Sequence, residues 1–173
     1  MIFHWFKKNQ PELSPTMEYK KVSSKKEASE DLVRMGEDSA NKSNYEQALM
    51  YFEKAIEMNP NNDFAWGDRG LMLDKQHRRD EAIESFSKAL MIDPSNSITW
   101  HNKGLTLIKL NKLEESIECF DKAIEINGKY AKAWYNRGRA LALLGNESEG
   151  QKSFDTAKKL DPMLYTKLKK MKS

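Results

Sequence analysis

A single cysteine, Cys119, denies this chain of 173 residues any internal disulfide. The expected compartment is therefore a reducing cytoplasm. Cys119 itself reads as a small buried apolar residue rather than a nucleophile. Long apolar runs are also missing: none approaches the roughly 20 residues that cross a bilayer. The opening "MIFHWF" has neither the basic lead-in nor the full apolar segment of a secretory signal. Histidine is scarce, and His4, His77 and His101 have no metal-ligand spacing, so no metal centre is expected. A Gly-rich phosphate loop and a nucleophile elbow are absent, and with them any catalytic residue or cofactor. Acid pairs such as Glu114 and Glu115 open a helix, where carboxylates suit the N-terminus. The chain is expected not to be an enzyme.

A strong charge of one sign is lacking as well. The net charge of +3 divides into +3 over residues 1–28, −4 over 29–162 and +4 over 163–173. A nucleic-acid binder lines one face with bases; basic ends on an acidic body do not, so no nucleic-acid partner is expected.

What the sequence does have is repetition. "AWGDRGLML" at Ala65 returns as "TWHNKGLTL" at Thr99 and as "AWYNRGRAL" at Ala133, 34 residues apart each time. The period extends further, through Gly36, Gly70, Gly104 and Gly138, through Phe52, Phe86, Phe120 and Phe154, and through Ala55, Ala89, Ala123 and Ala157. Trp66, Trp100 and Trp134 form another series, begun by Leu32. Pro60, Pro94 and Pro162 close their units, with Gly128 in place of proline in the third. Each unit reads as two helices. In the third, helices are expected near 98–110 and 114–126, where Ile117, Phe120, Ala123 and Ile124 fall at helical spacing. Proline ends the second helix; Asn127-Gly128 is expected to make the same break through residues that tolerate positive φ. The glycines are expected to face Ala48, Ala82, Ser116 and Gly150, letting the two helices approach closely. Trp and Phe then fill the core.

This pattern resembles the tetratricopeptide repeat family, W-x₂-L-G-x₂-Y…A-x₃-F…P over 34 residues. Four units align, at 29–62, 63–96, 97–130 and 131–164. Two positions depart from the family. Leu before Gly is replaced by Arg69, Lys103 and Arg137, whose stems are expected to lie on apolar surface with their charges in water. Tyr is replaced by Ser39, Leu73, Leu107 and Leu141. The resemblance implies an all-α, right-handed superhelical solenoid of antiparallel helix pairs. Residues 165–173 then serve as a basic capping helix, part of an apolar-faced stretch from 163 with Leu164, Leu168 and Met171. Residues 1–28 read as a flexible, basic, solvated segment. Within it, "MIFHWFKK" dips into a membrane surface through residues 1–8, docks on a partner, packs on its own domain, or is simply a disordered start.

The resemblance further implies that the first helix of each unit lines a concave groove. Carried over by position, the groove residues are Phe64, Asp68, Leu71, Ile98, His101, Asn102, Leu105, Ile108, Lys132, Tyr135, Asn136 and Arg139. The expected function is a non-catalytic adaptor or scaffold that holds a peptide or partner protein there. Phe64, Leu71, Ile98 and Leu105 form its apolar centre, a feature of binding surfaces, unless the N-terminal segment or a second copy covers it. Asn102 and Asn136, in register, offer amides to the backbone of an extended peptide. The family's clamp for a C-terminal carboxylate does not fit. Its five positions hold Gly67, Leu71, Asn102, Lys132 and Asn136, which lack most of the charge-assisted bonds. Net charge drifts by unit, −4, −2, 0 and +2 over 29–62, 63–96, 97–130 and 131–162. That gradient would point a ligand's basic end toward the first unit, or favour head-to-tail association of copies.

Overall fold

The computed structural model describes residues 15–170, with side chains over 24–168. The described residues form nine helices and no strand. They are α1 (Pro15–Asn41), α2 (Tyr45–Met58), α3 (Asp63–Lys75), α4 (Arg79–Ile92), α5 (Ser97–Lys109), α6 (Leu113–Ile126), α7 (Ala131–Leu143), α8 (Glu147–Leu160) and α9 (Pro162–Lys170). The helix pairs α1–α2, α3–α4, α5–α6 and α7–α8 follow the 34-residue period. Among the described residues each second helix also packs on the next unit's first helix. First helices touch the first helices of neighbouring units, whereas no second helix touches another. The first helices are therefore the crowded inner row and the second helices the spread outer row, which curves the stack.

Residues 15–28 differ from their reading as flexible. They belong to α1, which runs unbroken for 27 residues. Lys and Glu suit a helix interior, and the inner end of the segment is tied down. The Ser29 hydroxyl is buried and donates to the Ala55 carbonyl at 2.8 Å, and Asn62 Nδ2 donates to Ser29 Oγ at 2.9 Å. The reading of residues 1–8 as a membrane or partner contact lies outside the described residues. No described helix is long and apolar enough to cross a membrane.

Each turn within a unit places one residue at positive φ, at Ser43, His77, Asn111 and Gly145. Glycine adopts this conformation freely and Asn and His more readily than most residues, whereas Ser does so at some cost. The break between units works differently. Asn59, Asp93, Asn127 and Asp161 all end their helices with φ between −149° and −123°. Positive φ at Asn127-Gly128, expected from the sequence, is not used. The extended residue alone turns the chain, and Gly128 follows the same path as the prolines.

The tryptophans hold these breaks. Nε1 of Trp66, Trp100 and Trp134 donates to the carbonyl six residues earlier, on Pro60, Pro94 and Gly128, at 2.9 Å each time. A proline and a glycine serve equally, since the bond uses only the backbone oxygen. Each Trp thus fastens its helix to the preceding connection.

The glycines make room chiefly for phenylalanine. A Cβ on Gly70 or Gly104 would meet a ring carbon of Phe86 or Phe120 at 2.7–2.8 Å, and one on Gly36 would meet the Phe52 ring closer still. These distances leave no space for a methyl group. At Gly138 the expected small-to-small approach is seen directly, with the Gly150 carbonyl oxygen 2.9 Å from its would-be Cβ; Ala48, Ala82 and Ser116 are themselves fully buried. Phe52, Phe86, Phe120, Leu73 and Leu107 are fully buried in this core.

The basic residues before glycine are not simply solvated. Arg69 donates to Ser85 Oγ at 2.6 Å and to Glu53 of the preceding unit at 3.3 Å. Arg137 repeats the arrangement with Ser153 at 2.9 Å and Asp121 at 2.5 Å. Each guanidinium therefore bridges one unit to the next. In the third unit the corresponding residues are Ser87, Lys103 and Cys119. Lys103 instead lies 5.7 Å from the Trp100 ring. Cys119 is buried, which pushes its thiol up to about 11 and keeps it protonated and inert near neutrality.

At the far end α9 begins with proline at its first position and is capped by Asp161, which accepts from the Leu164 N–H at 2.8 Å. It packs on α7 and α8. Tyr165 meets Tyr135 and Phe154 edge-on, at 5.9 and 6.4 Å between ring centroids. The sequence points to Leu164, Leu168 and Met171 for this role; Leu164 and Leu168 are half-buried, Met171 lies outside the described residues, and Tyr165 adds the aromatic contact.

Candidate functional site

The inner row of first helices presents the residues that position alone assigns to a groove, but it does not present them equally. Phe64 on α3 and Ile98 on α5 stand out, 64% and 60% exposed. Leu71 and Asp68 are half-buried beside them. These four residues line one pocket of about 200 Å³, together with Glu37 of α1 and Asn102 of α5. Three successive first helices thus contribute to one cavity. Leu105 and Ile108 are half-buried farther along the row and do not line it.

The pocket owes its space to Gly67. Gly67 occupies the position that His101 and Tyr135 hold in the next two units, and both of those rings are buried. The His101 ring lies 5.7 Å from Phe120 and 5.0 Å from Tyr130, and the Tyr135 ring lies 5.3 Å from Phe154. Where rings fill the third and fourth units, the second is left open. Sequence reasoning put Gly67 only in a failed clamp comparison. Its mid-helix position, where glycine costs about 1 kcal/mol relative to alanine, was the available signal.

His101, Asn102, Asn136 and Arg139 are joined to one another. Asn136 is buried, and its Nδ2 lies 3.0 Å from His101 Nε2. Asn102 Oδ1 lies 3.4 Å from His101 Nδ1. This network assigns the proton to Nδ1 and leaves Nε2 as acceptor. Burial, aided by the nearby charge of Lys132, depresses His101 to about 4, so the ring is neutral near pH 7. Arg139 Nη1 donates to Asn136 Oδ1 at 3.0 Å. The two asparagines therefore do not form a free ladder for a peptide. Asn136 is committed to the fold, because its removal would leave a buried imidazole acceptor unpaired. Asn102 remains half-buried at the pocket's edge. Lys132 is exposed.

Asp68 is the electrostatic feature of the pocket. No hydrogen bond or ion pair engages it among the described residues. Burial, with a smaller contribution from the negative charge of Glu37, raises its carboxyl to about 7. The pocket wall holds Asp63, Asp68 and Glu37 and no Lys or Arg.

Larger hollows of about 440, 530 and 420 Å³ recur under Trp66, Trp100 and Trp134, between first and second helices. They are lined by the Arg69 and Arg137 bridges and by Lys103, so they follow from the repeat. No described group of His, Cys, Asp or Glu could hold a metal ion.

Comparison with known proteins bears on this architecture directly. Models described as tetratricopeptide repeat match residues 39–62, 64–96 and 131–162, and one described as TPR repeat matches 104–145. No curated protein matches the sequence. Among solved structures, Pseudomonas aeruginosa PilF is 20% identical with a TM-score of 0.75, covering 80% of this chain and 64% of that one. MamA from Desulfovibrio magneticus RS-1 is 22% identical with a TM-score of 0.72, over 78% and 76%. A thermophilic TPR protein in Thermus thermophilus is 22% identical with a TM-score of 0.69, over 78% and 75%. At such identities the likeness is one of fold.

Proposed function

Because the chain belongs to the tetratricopeptide repeat family, we propose that it acts without catalysis, holding a stretch of a partner polypeptide along its inner row of first helices. Repeats of this family make protein-interaction modules; the groove as the place of contact is the reading put forward here. The observation that carries it is the exposure of Phe64 and Ile98 side by side on the inner row. Large apolar side chains left open beside a polar rim favour a binding surface. The rest of the row is filled by His101 and Tyr135, which favours contact over α1, α3 and α5 rather than along the whole stack.

Phe64→Ala combined with Ile98→Ala tests this reading. Neither side chain supports the core, so the urea midpoint should move little, within about 0.5 kcal/mol of wild type. Capture of the partner from native extract should fall sharply, as for apolar anchors worth about 2 kcal/mol or more. Undiminished capture by this folded double variant would place the contact elsewhere.

A further inference from the structure

We infer that the Gly67–Asp68 pocket receives the cationic head of a lysine or arginine side chain from an extended partner segment, while an adjoining large apolar side chain of that segment lies on Phe64 and Ile98. The inference rests on the groove reading above and adds the chemistry of its occupant.

Size argues first. Small-molecule sites run to about 300–1,000 Å³, and this pocket has about 200 Å³. That suits one long side chain better than a separate ligand. The space is built in: a Cβ at Gly67 would lie 3.5 Å from Thr99 Oγ1, an ordinary contact. Packing therefore does not require glycine there. Glycine is also unfavourable in a helix interior. What its absent side chain provides is the opening that the corresponding rings close in the next two units.

Charge argues second. The pocket wall combines Asp68, Asp63 and Glu37 with no basic residue. Asp68, half-buried, has no partner of its own among the described residues. Partial burial of an unpartnered carboxylate is costly, and its raised pKa reflects that cost. A guanidinium or ammonium entering the pocket supplies the missing counter-charge through a charge-assisted hydrogen bond. Its alkyl stem runs past Leu71 and Phe64, as such stems do on apolar surface. A metal ion is a poorer fit, because no described carboxylates converge as a ligand set.

The test is panning of a phage-displayed library of random twelve-residue peptides on the full chain. Binding is then measured by fluorescence anisotropy with the enriched peptides. Enriched peptides should carry Lys or Arg next to a large apolar residue. Replacing that base by norleucine should weaken binding about tenfold or more. Asp68→Asn should abolish the preference for the base. Gly67→Leu, which fills the pocket and keeps Asp68, should weaken the same peptides. Enriched peptides that contain no base, or that keep their preference for one on Asp68→Asn, would overturn this inference and leave the groove reading standing. Enrichment no better on wild type than on the Phe64→Ala, Ile98→Ala variant would overturn both.

Discussion

Gly138→Val should unfold this chain at markedly lower urea than Gly104→Val, although the two glycines hold the same position in successive units. Valine and glycine differ little in helix propensity on the scale of these effects, so the comparison isolates the clash. At Gly104 the three atoms nearest a Cβ would be ring carbons of Phe120, at 2.8–3.1 Å. A ring can tilt, and overpacking of this kind costs about 1–3 kcal/mol. At Gly138 a Cβ would meet both the Phe154 ring and the Gly150 carbonyl oxygen, each at 2.9 Å. Backbone cannot move aside without separating α7 from α8, and that would also disturb the Tyr135–Phe154–Tyr165 contacts that seat α9. The loss there should exceed about 3 kcal/mol. Circular dichroism in urea reads both variants. Equal losses would mean that the phenylalanine contact alone governs these positions.

The same glycines show how far the sequence could be read. The period, the two-helix unit and the core series of Gly, Phe and Ala were legible because one spacing recurs at many positions. The third unit's helices fall within a residue of expectation. What each repeated residue does was less legible. The role of Trp depends on where a backbone carbonyl lies, and no side-chain series records that. At Gly36, Gly70 and Gly104 the atoms nearest a would-be Cβ belong to a phenylalanine ring, a closeness that spacing alone does not reveal. For the candidate site, the sequence offers a row of positions but not which of them stand open. Asn136 looks available in the sequence, but its partner His101 lies 35 residues away. Gly67 matters through the absence of a side chain, which positional comparison with His101 and Tyr135 could have revealed. The helical start of α1 at Pro15 was hidden by a composition that suits solvated chain and solvated helix alike.

Asp68→Asn should stabilise the fold near neutral pH and leave it almost unchanged near pH 4. The folded carboxyl titrates at about 7, well above its ordinary value of 3.8. Between those values the unfolded chain has released the proton while the folded chain holds it. Stability attributable to this group therefore falls as pH rises from about 4 to about 7, then levels off. A displacement of this size is worth at most about 4 kcal/mol. Solvent at the pocket mouth screens it, so the expected gain at pH 7.5 is about 2 kcal/mol. Glu37 across the pocket and Asp63 on the same helix remain in the variant, so the difference reports Asp68 itself. His101 works in the opposite sense. Its folded value of about 4 lies below the usual 6.5, so its contribution is lost as pH falls from about 6.5 to about 4. In the wild type the two slopes oppose each other over that window. Asp68→Asn should expose the His101 slope, with thermal midpoints rising more steeply from pH 4 to 6.5 than in wild type. A variant less stable than wild type at pH 7.5 would mean that Asp68 is paired in solution.

A carboxylate that weakens the empty fold and is relieved by a cation suits a residue kept for binding. Functional sites commonly hold such local conflicts. Buried rings occupy the row at His101 and Tyr135, while Phe64 and Ile98 stand open around Gly67, so the proposed point of contact is narrow. The most direct measurement is photocrosslinking in native extract, with the same photoreactive group placed at Ile98 on the inner row or at Met91 on α4, which is 77% exposed. A polypeptide adduct from Ile98, absent from Met91 and lost on Phe64→Ala, is the predicted result. Adducts from Met91 with none from Ile98 would contradict it and move the working surface to the second helices.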